Sequence, residues 1–261
     1  MTDTEDNTEP TSGNTIASVE TAFNIIEVVQ EQGGCGVTDL ANQMGVPKST
    51  AHVYLKTLRN LGYVVNENGE YHLSLRFLEL GGQIRRDLSI YGAARGEIDE
   101  LARKTGEIST IGYEENGRRV LLYISEPAEA IADNAPTGEF TEMHWTAVGK
   151  ALLSQHTDGE IRDIVEETGL PRATEHTITE IDELLREIDG IRSQGYSIED
   201  EERTNGVRAV AIPIGSDAGS GYAAISIAGP KHRFSDERIE EELLPELRNT
   251  ANVIELQYKH Y

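Results

Sequence analysis

Hydrogen-bonding side chains are concentrated in one short stretch near the N-terminal end of the chain. Between residues 48 and 59 they include Lys48, Ser49, Thr50, His52, Lys56 and Arg59. Hydroxyl, ammonium and guanidinium groups bind phosphate oxygens, and such side chains also read base edges in the DNA major groove. If the stretch is helical, free backbone N–H groups at residues 48–50 add donors for phosphate. The pattern therefore predicts a DNA contact in which base reading falls to Lys48, Thr50 and His52.

Two helices are expected to position these side chains, because apolar residues recur at helical spacing on both sides of Gly45. The first set is Leu40, Ala41 and Met44, and the second is Ala51, Leu55, Leu58 and Leu61. Thr38 is placed to cap the first helix and is a further candidate DNA contact. Gly45 suits the end of a helix, and Pro47 suits the first position of the next one. The pattern predicts a helix-turn-helix, although an ordinary helical hairpin within an enzyme shares it.

A β-hairpin is predicted directly after the second helix. Gly62 ends that helix, and two runs rich in β-forming residues then flank Asn68-Gly69. Asn-Gly between such runs is the strongest short signal for a hairpin. Helix, helix and hairpin in this order indicate a winged helix-turn-helix, which favours DNA binding over the enzyme alternative.

Several segments resemble the IclR-type transcriptional regulators. SVETAFNIIEVV, LANQMGVPKSTAHVYLKTLRNLGYV and GEYHLSLRFLELG are similar to the DNA-binding domain of that family. MHWTAVGKALL, GYSIEDEERTNGVRAVAIPI and YAAISIAGP are similar to its effector domain, in the same order. The resemblance implies a DNA-binding regulator controlled by a small molecule. Other members often carry arginine where this chain has Val53, a loss for which Lys56 could compensate one turn later.

The resemblance also implies where the effector binds. The family's ligand contacts fall on Ala147, Val148, Glu199 and Ser226, and sugar or aromatic carboxylates are the classes of effector that it suggests. Two further positions that can be polar in the family are Ala209 and Ala228 here. The alternatives are that Glu199 is a surface acid in an acidic run and that Ser226 is a strand hydroxyl bonded to backbone. His144 and Lys150 lie nearby, and we favour a structural role for His144.

The chain is long enough for two domains with separate cores. We expect a disordered acidic tail over residues 1–14, a winged helix-turn-helix over residues 15–74, and a linker helix over residues 75–91 that breaks at Gly81-Gly82. Residues 92–261 are expected to form an effector-binding and oligomerisation domain. The predicted fold is α+β, with a GAF-like second domain whose mixed antiparallel sheet is flanked by helices.

The net charge of −23 is unusual for a DNA-binding protein. The acidic residues are spread along the chain, a composition typical of proteins adapted to multimolar salt, as in a halophilic archaeon. At about 1 M salt the Debye length is only about 3 Å, so repulsion from DNA over longer distances largely disappears. The negative total therefore does not exclude DNA binding.

Composition also limits the classes of chemistry. The single cysteine, Cys35, excludes an intrachain disulfide and a cysteine-based zinc site, and we interpret it as a small residue in a glycine-rich loop. No signal peptide or membrane-spanning segment is evident, so we expect a cytoplasmic protein without membrane contact. We expect no catalytic residue, cofactor or metal.

The combined prediction is a homodimer or homotetramer that binds a pseudo-palindromic double-stranded DNA operator and a small organic or sugar acid. One alternative is a metabolite-sensing module that acts through protein partners. Another is a metal-dependent hydrolase in which the carboxylates of residues 199–202 and His144 hold the ion.

Overall fold

A computed structural model describes residues 15–128, 135–215 and 222–259. The chain divides into two compact units, Met1–Gln83 and Ile84–Tyr261. The predicted tail over residues 1–14 lies outside the described residues. The sequence predicted domain boundaries at residues 74 and 91, whereas the two units divide after Gln83. The predicted boundaries therefore stay predictions.

The first unit is a winged helix-turn-helix, as predicted. Its elements are α1 (Ala17–Glu31), β1 (Cys35–Gly36), α2 (Val37–Met44), α3 (Lys48–Asn60), β2 (Val64–Glu67) and β3 (Glu70–Leu73). The strands form an antiparallel sheet in the order β1-β3-β2. Ile25, Leu40 and Leu55 are completely buried where the three helices meet. This core fixes the direction in which the opposite face of α3 points.

The turns of this unit follow the predicted chemistry. Gly45 has a φ of 64°, the left-handed conformation that ends α2. Asn68 and Gly69 both have positive φ, at 54° and 98°. Two left-handed residues in succession match the right-handed twist of the strands, so the hairpin closes tightly between β2 and β3.

Three local predictions in this unit are wrong. Gly36, not Thr38, precedes α2, because β1 passes directly into the helix and leaves Thr38 inside the first turn. Pro47 is the N-cap of α3 and not its first residue, since its ψ of 143° is extended. Cys35 is not a loop residue: it lies in β1 opposite Tyr71, and its side chain belongs to the core.

Two helices follow the wing, α4 (Arg76–Asp87) and α5 (Ser89–Thr105). The predicted helix break at Gly81-Gly82 is therefore wrong, because both glycines lie inside α4. A glycine costs a helix only about 1 kcal/mol, which other contacts readily offset. The chain leaves the helical conformation at Leu88, whose ψ is 105°.

The second unit is built on a six-stranded sheet in which every ladder among the described residues is antiparallel. The strand order is β6-β5-β4-β9-β8-β7. In chain order the strands are β4 (Ile108–Glu115), β5 (Arg118–Ser125), β6 (Phe140–Glu142), β7 (Ser197–Asp200), β8 (Val207–Ile214) and β9 (Ala223–Pro230). The α+β fold is confirmed.

Helices cover both faces of this sheet. One core contains residues of α5 and of the last helix, and the other contains residues of the three helices between β6 and β7. Those three are α6 (Ala147–Leu153), α7 (Asp158–Thr168) and α8 (Ile181–Gln194). The predicted last helix, from Asp236 to Tyr258, is divided into α9 (Asp236–Arg238), a π-helical turn (Ile239–Leu243) and α10 (Leu244–Tyr258). The wider turn ends two residues before Pro245, near which a kink was predicted.

Among residues 15–128, 135–215 and 222–259, no helix combines the length and the apolar character needed to cross a membrane.

Candidate functional sites

The outer face of α3 carries the predicted DNA contacts. Ala51, Leu55 and Leu58 are buried on the inner face. Thr50 is half-buried, whereas five of the predicted side chains are exposed: Lys48, Ser49, His52, Lys56 and Arg59. Thr38 is exposed on α2. The helix therefore presents hydroxyl, imidazole and cationic groups to solvent, as contact with phosphates and bases requires.

The backbone at the start of α3 offers fewer donors than predicted. The N–H of Thr50 donates to the carbonyl of Pro47 at 2.9 Å, so it is not free for a phosphate. Val53, where the resemblance suggested an arginine, is 60% exposed on the helix surface. Lys56 is exposed three residues further on.

The wing adds no positive charge to this surface. Glu67 and Glu70 lie directly opposite each other at the turn between β2 and β3, and both are exposed. A strand pair with like charges at its tip resists close approach to phosphates in dilute salt.

In the second unit, the sheet face under α6 forms the floor of a cavity. One row of directly paired residues crosses four strands: Glu199, Ala209, Ala228 and Ile108. The next row contains Thr110 and Ser226. Because alternate residues of a strand share a face, all of these side chains point to the same side of the sheet.

The cavity has a volume of about 60 Å³. It brings together the four residues that the resemblance implied for the effector: Ala147, Val148, Glu199 and Ser226. Ala209 and Ala228 also line it, so the floor is apolar at the two positions where the resemblance allowed polar groups. A cavity that holds one water molecule has a volume of roughly 10–15 Å³ by this measure. The cavity therefore has room for a few heavy atoms of a ligand.

Helix α6 closes the cavity from above. Thr146 caps it by accepting the N–H of Gly149 at 2.9 Å, and the hydroxyl of Ser197 donates to the carbonyl of Ala147 at 2.6 Å. Gly112, at a bulge in β4, permits this approach: a Cβ there would lie 2.5 Å from Val148. The backbone of β4 thus sets how closely α6 packs on the sheet.

The sheet contributes two kinds of polar group to the cavity, a pair of hydroxyls and a carboxyl group. The hydroxyls of Thr110 and Ser226 are 2.8 Å apart, so Ser226 bonds to a side chain and not to backbone alone. Glu199 is 5% exposed, and its carboxylate accepts the N–H of Arg203 at 3.3 Å. Burial, together with the neighbouring carboxylate of Glu202, raises the pKa of Glu199 to about 7. Its interpretation as a surface acid is therefore wrong.

Two arginines that the sequence analysis missed also line the cavity, Arg119 and Arg203. Arg119 is 4% exposed and donates to Thr141 at 2.9 Å and to Glu139 at 2.8 Å. A signal was present in the sequence: side chains alternate along a strand, so one of two adjacent arginines in β5 had to face inward. Thr110 and Thr204 were missed as well.

Lys150 is almost completely buried beside the cavity and forms ion pairs with Glu202 at 2.6 Å and Glu187 at 3.2 Å. Glu202 is thereby engaged in a structural charge pair. Burial still raises the pKa of Glu202 above its ordinary value, against the opposing effect of Lys150.

His144 has the structural role that we favoured. It is buried, its Nε2 lies 3.0 Å from the carbonyl oxygen of Pro171, and it is not part of the cavity wall. Burial lowers the pKa of this imidazole. Within the described ranges, no group of three or more His, Cys, Asp or Glu side chains is arranged to hold a metal ion. The hydrolase alternative therefore gains no support from the geometry.

Comparison with known proteins gives matches over both units. Residues 18–67 match the IclR helix-turn-helix domain, and residues 83–256 match the C-terminal domain described as bacterial transcriptional regulator IclR. The HTH-type transcriptional regulator KdgR of Escherichia coli is 32% identical over 228 residues, 87% of each chain. XynR of the same organism, also an HTH-type transcriptional regulator, is 31% identical over 85% of this chain and 89% of its own. The crystal structure of the Thermotoga maritima IclR superposes with a TM-score of 0.77 at 25% identity, covering 94% of this chain and 99% of that one.

Proposed function

The chain belongs to the IclR family of transcriptional regulators, which bind DNA under the control of small-molecule effectors, and we propose that its effector is a small organic or sugar acid. The observation that carries this proposal is the cavity of the second unit. Glu199, Ser226, Ala147 and Val148 come from segments far apart in sequence and line one space. Arginine side chains in its wall favour an anionic ligand.

We propose that DNA is bound through α3. Lys48, Thr50 and His52 read bases, while Ser49, Lys56, Arg59 and Thr38 contact the sugar-phosphate backbone. Exposure of Lys48, Ser49, His52, Lys56 and Arg59 on one helix supports the assignment. Because the protein would bind chromosomal DNA, we propose that it is located in the cytoplasm.

We further propose that the protein acts as a homodimer or as a dimer of dimers. One winged helix covers few base pairs, so pairing two on a pseudo-palindromic operator supplies specificity. Helix α1 and its N-cap support self-association: Ile16, Val19 and Phe23 recur at helical spacing and are 67%, 49% and 60% exposed. Effector binding would shift the population between dimer arrangements that differ in the spacing of the two α3 helices.

Fluorescence anisotropy tests this function. The purified protein is titrated onto labelled DNA from upstream of its own gene in 2 M KCl, with scrambled DNA as the control and a panel of carboxylic acids added. We expect preference for the upstream DNA and a change in affinity with at least one acid. Equal binding to both DNAs by folded protein would contradict the regulator, whereas acid binding without DNA preference would favour a sensing module that acts through protein partners.

A further inference from the structure

One carboxyl group in the cavity wall is buried without a counter-ion. Glu199, on β7, lines the cavity and is almost completely buried. The backbone N–H of Arg203 donates to its Oε1 at 3.3 Å. Within the part of the chain that the structure describes, no other group donates to this carboxyl, and no lysine or arginine forms an ion pair with it. Its second oxygen, Oε2, is therefore available to a ligand.

The neighbouring acid has the counter-ion that Glu199 lacks. Oε1 of Glu202 is 2.6 Å from the ammonium nitrogen of Lys150, which comes from α6. The same ammonium group lies 3.2 Å from Glu187 of α8, so its charge is directed toward these two carboxylates. A buried charge is stable only when it is paired. Of the two acids in this corner, Glu202 therefore keeps the negative charge, and Glu199 is the one that takes a proton.

The charges around Glu199 act in both directions. Burial contributes most to raising its pKa, and the carboxylate of Glu202 adds to this, whereas the backbone N–H of Arg203 and the charges of Lys150 and Arg203 oppose it. The resulting pKa is about 7. Arg119 of β5 is the other charged side chain of the cavity lining in the described ranges. Near neutral pH the empty cavity thus holds a carboxyl group that is half protonated.

An anion in this cavity favours the protonated form. Because the cavity is only about 60 Å³ in volume, an acid anion that enters it lies close to Glu199. An ionised carboxylate at this position would repel the anion, whereas a protonated carboxyl donates a hydrogen bond to it. A hydrogen bond to an ionised acceptor is about twice as strong as one between neutral groups. Each bound anion therefore selects the protein in which Glu199 carries its proton.

We infer that Glu199 binds the effector anion as a neutral carboxyl group that donates a hydrogen bond, and that one proton moves from solvent to its Oε2 for each anion bound above neutral pH. The affinity for the effector is thereby coupled to pH. This inference rests on the proposed function, because it assigns a proton to the same effector cavity.

Isothermal titration calorimetry of the full-length protein without DNA tests the proton uptake. The probes are lactate, gluconate and benzoate, which are ionised at pH 6.0 and at pH 8.5, each in buffers of different ionisation enthalpy in 2 M KCl. For at least one acid we expect binding about 30-fold weaker at pH 8.5 than at pH 6.0, with uptake of about one proton at pH 8.5. The protonated fraction of a group whose pKa is about 7 falls by this factor.

The failures are distinguishable. An acid that binds equally well at both pH values, without proton uptake, would overturn the inference and leave the proposed effector in place. Binding of none of the three acids at either pH would count against the acid effector and against this inference together.

Glu199→Gln separates a neutral donor from a charged contact. The amide donates a hydrogen bond and carries no charge, so the variant should bind at both pH values within about threefold of the wild type at pH 6.0. Glu187→Gln is the matched control: it removes the other carboxylate that pairs with Lys150, lies outside the cavity lining, and should keep the 30-fold pH dependence. A pH dependence that persists in Glu199→Gln would assign the proton to another group and contradict the inference.

Infrared spectroscopy gives a readout that does not depend on the folding of a variant. The difference spectrum between ligand-bound and free wild type at pH 8.5 should gain the C=O band of a protonated carboxyl group, which a histidine does not produce. A spectrum without this gain, under conditions where the acid saturates the protein, would overturn the inference.

Discussion

Lys48 is the first residue of α3 and follows directly on the turn between α2 and α3. It is also one of the predicted DNA contacts. Its side chain is exposed, beside the N-cap Pro47. We expect Lys48→Ala to lower operator affinity about 5- to 100-fold, the range for loss of one phosphate or base contact. Anisotropy titrations in constant salt measure the effect. Lys259→Ala, which removes an exposed lysine at the end of α10, is the control, and equal affinities for the two variants would contradict the proposed orientation of α3.

Glu199 links the stability of the second unit to pH. Its pKa is about 7 in the folded protein because of burial, against an ordinary value of 4.5. The folded state therefore holds this proton more tightly than the unfolded state. The stabilisation is fully present below pH 4.5 and is lost as the pH rises through about 7. A difference of this size corresponds to roughly 3 kcal/mol at high pH.

The Glu199→Gln substitution removes this dependence. At pH 8.5 the variant should be more stable than the wild type by up to about 3 kcal/mol, and near pH 4.5 the two should be alike. Urea denaturation at both pH values measures the difference, and Glu166→Gln, on the exposed surface of α7, controls for loss of one carboxylate. A stabilisation of the same size at both pH values would show that Glu199 does not titrate in this range.

At the scale of elements, the wing carries two negative charges at its tip, which is not expected of a hairpin that contacts DNA. Because Glu67 and Glu70 are opposed at its tip, the Glu67→Gln/Glu70→Gln variant should bind the operator about 3- to 30-fold more tightly in 0.1 M KCl. In 2 M KCl the gain should vanish, since the Debye length is then below about 3 Å. Glu166→Gln/Glu167→Gln on α7 changes the net charge equally and serves as the control. A gain that persists in 2 M KCl would mean that these carboxylates act through direct contact.

The elements also show how far sequence alone reaches. Gly45 and Asn68-Gly69 were predictable because their turns depend on backbone conformations that few residues adopt. The end of α4 at Asp87 was not, since no helix-breaking residue marks it in the sequence. The arginines of the cavity were missed because Arg119 and Arg203 are distant in sequence. Only strand pairing across the sheet, with Glu139 between them, brings them together.

The four effector residues that the resemblance implied also show what sequence predicts and what only the fold reveals. The resemblance placed Ala147, Val148, Glu199 and Ser226, and the structure gathers them around one cavity. Their role in binding an effector stays a prediction until a ligand is measured. The pKa of Glu199 could not be read from sequence, because an acidic run such as residues 199–202 has the composition of a solvated surface, and only the fold buries two of its members.

At the scale of the whole molecule, the net charge of −23 must be reconciled with an anionic partner. Concentrated salt screens the acids that are distant from α3 and leaves its short-range contacts in place. The proposed self-association would add to this, because a dimer doubles the number of contacts to one operator.

The apolar stripe of α1 provides a direct test of self-association. Phe23→Asp should shift the protein toward monomer by placing a charge in the proposed interface, without unfolding the first unit, since Phe23 is 60% exposed. Sedimentation velocity in 2 M KCl measures the change. Asn24→Asp adds a charge of the same sign on an adjacent exposed position and should leave the assembly unaltered. A Phe23→Asp protein with the wild-type sedimentation coefficient would exclude α1 from the interface.

The measurement that most directly tests the central claim, that a ligand in the cavity controls operator binding, compares the wild type with Ala228→Leu. Leucine at this position fills the floor of the cavity and lies far in sequence from α3. Labelled operator is bound by each protein in 2 M KCl, and the acid found to act on the wild type is titrated in. We predict that both proteins bind the operator alike, and that the acid changes the affinity of the wild type at least tenfold but leaves Ala228→Leu unaffected. An equal response of the two proteins, with the same midpoint, would contradict the account.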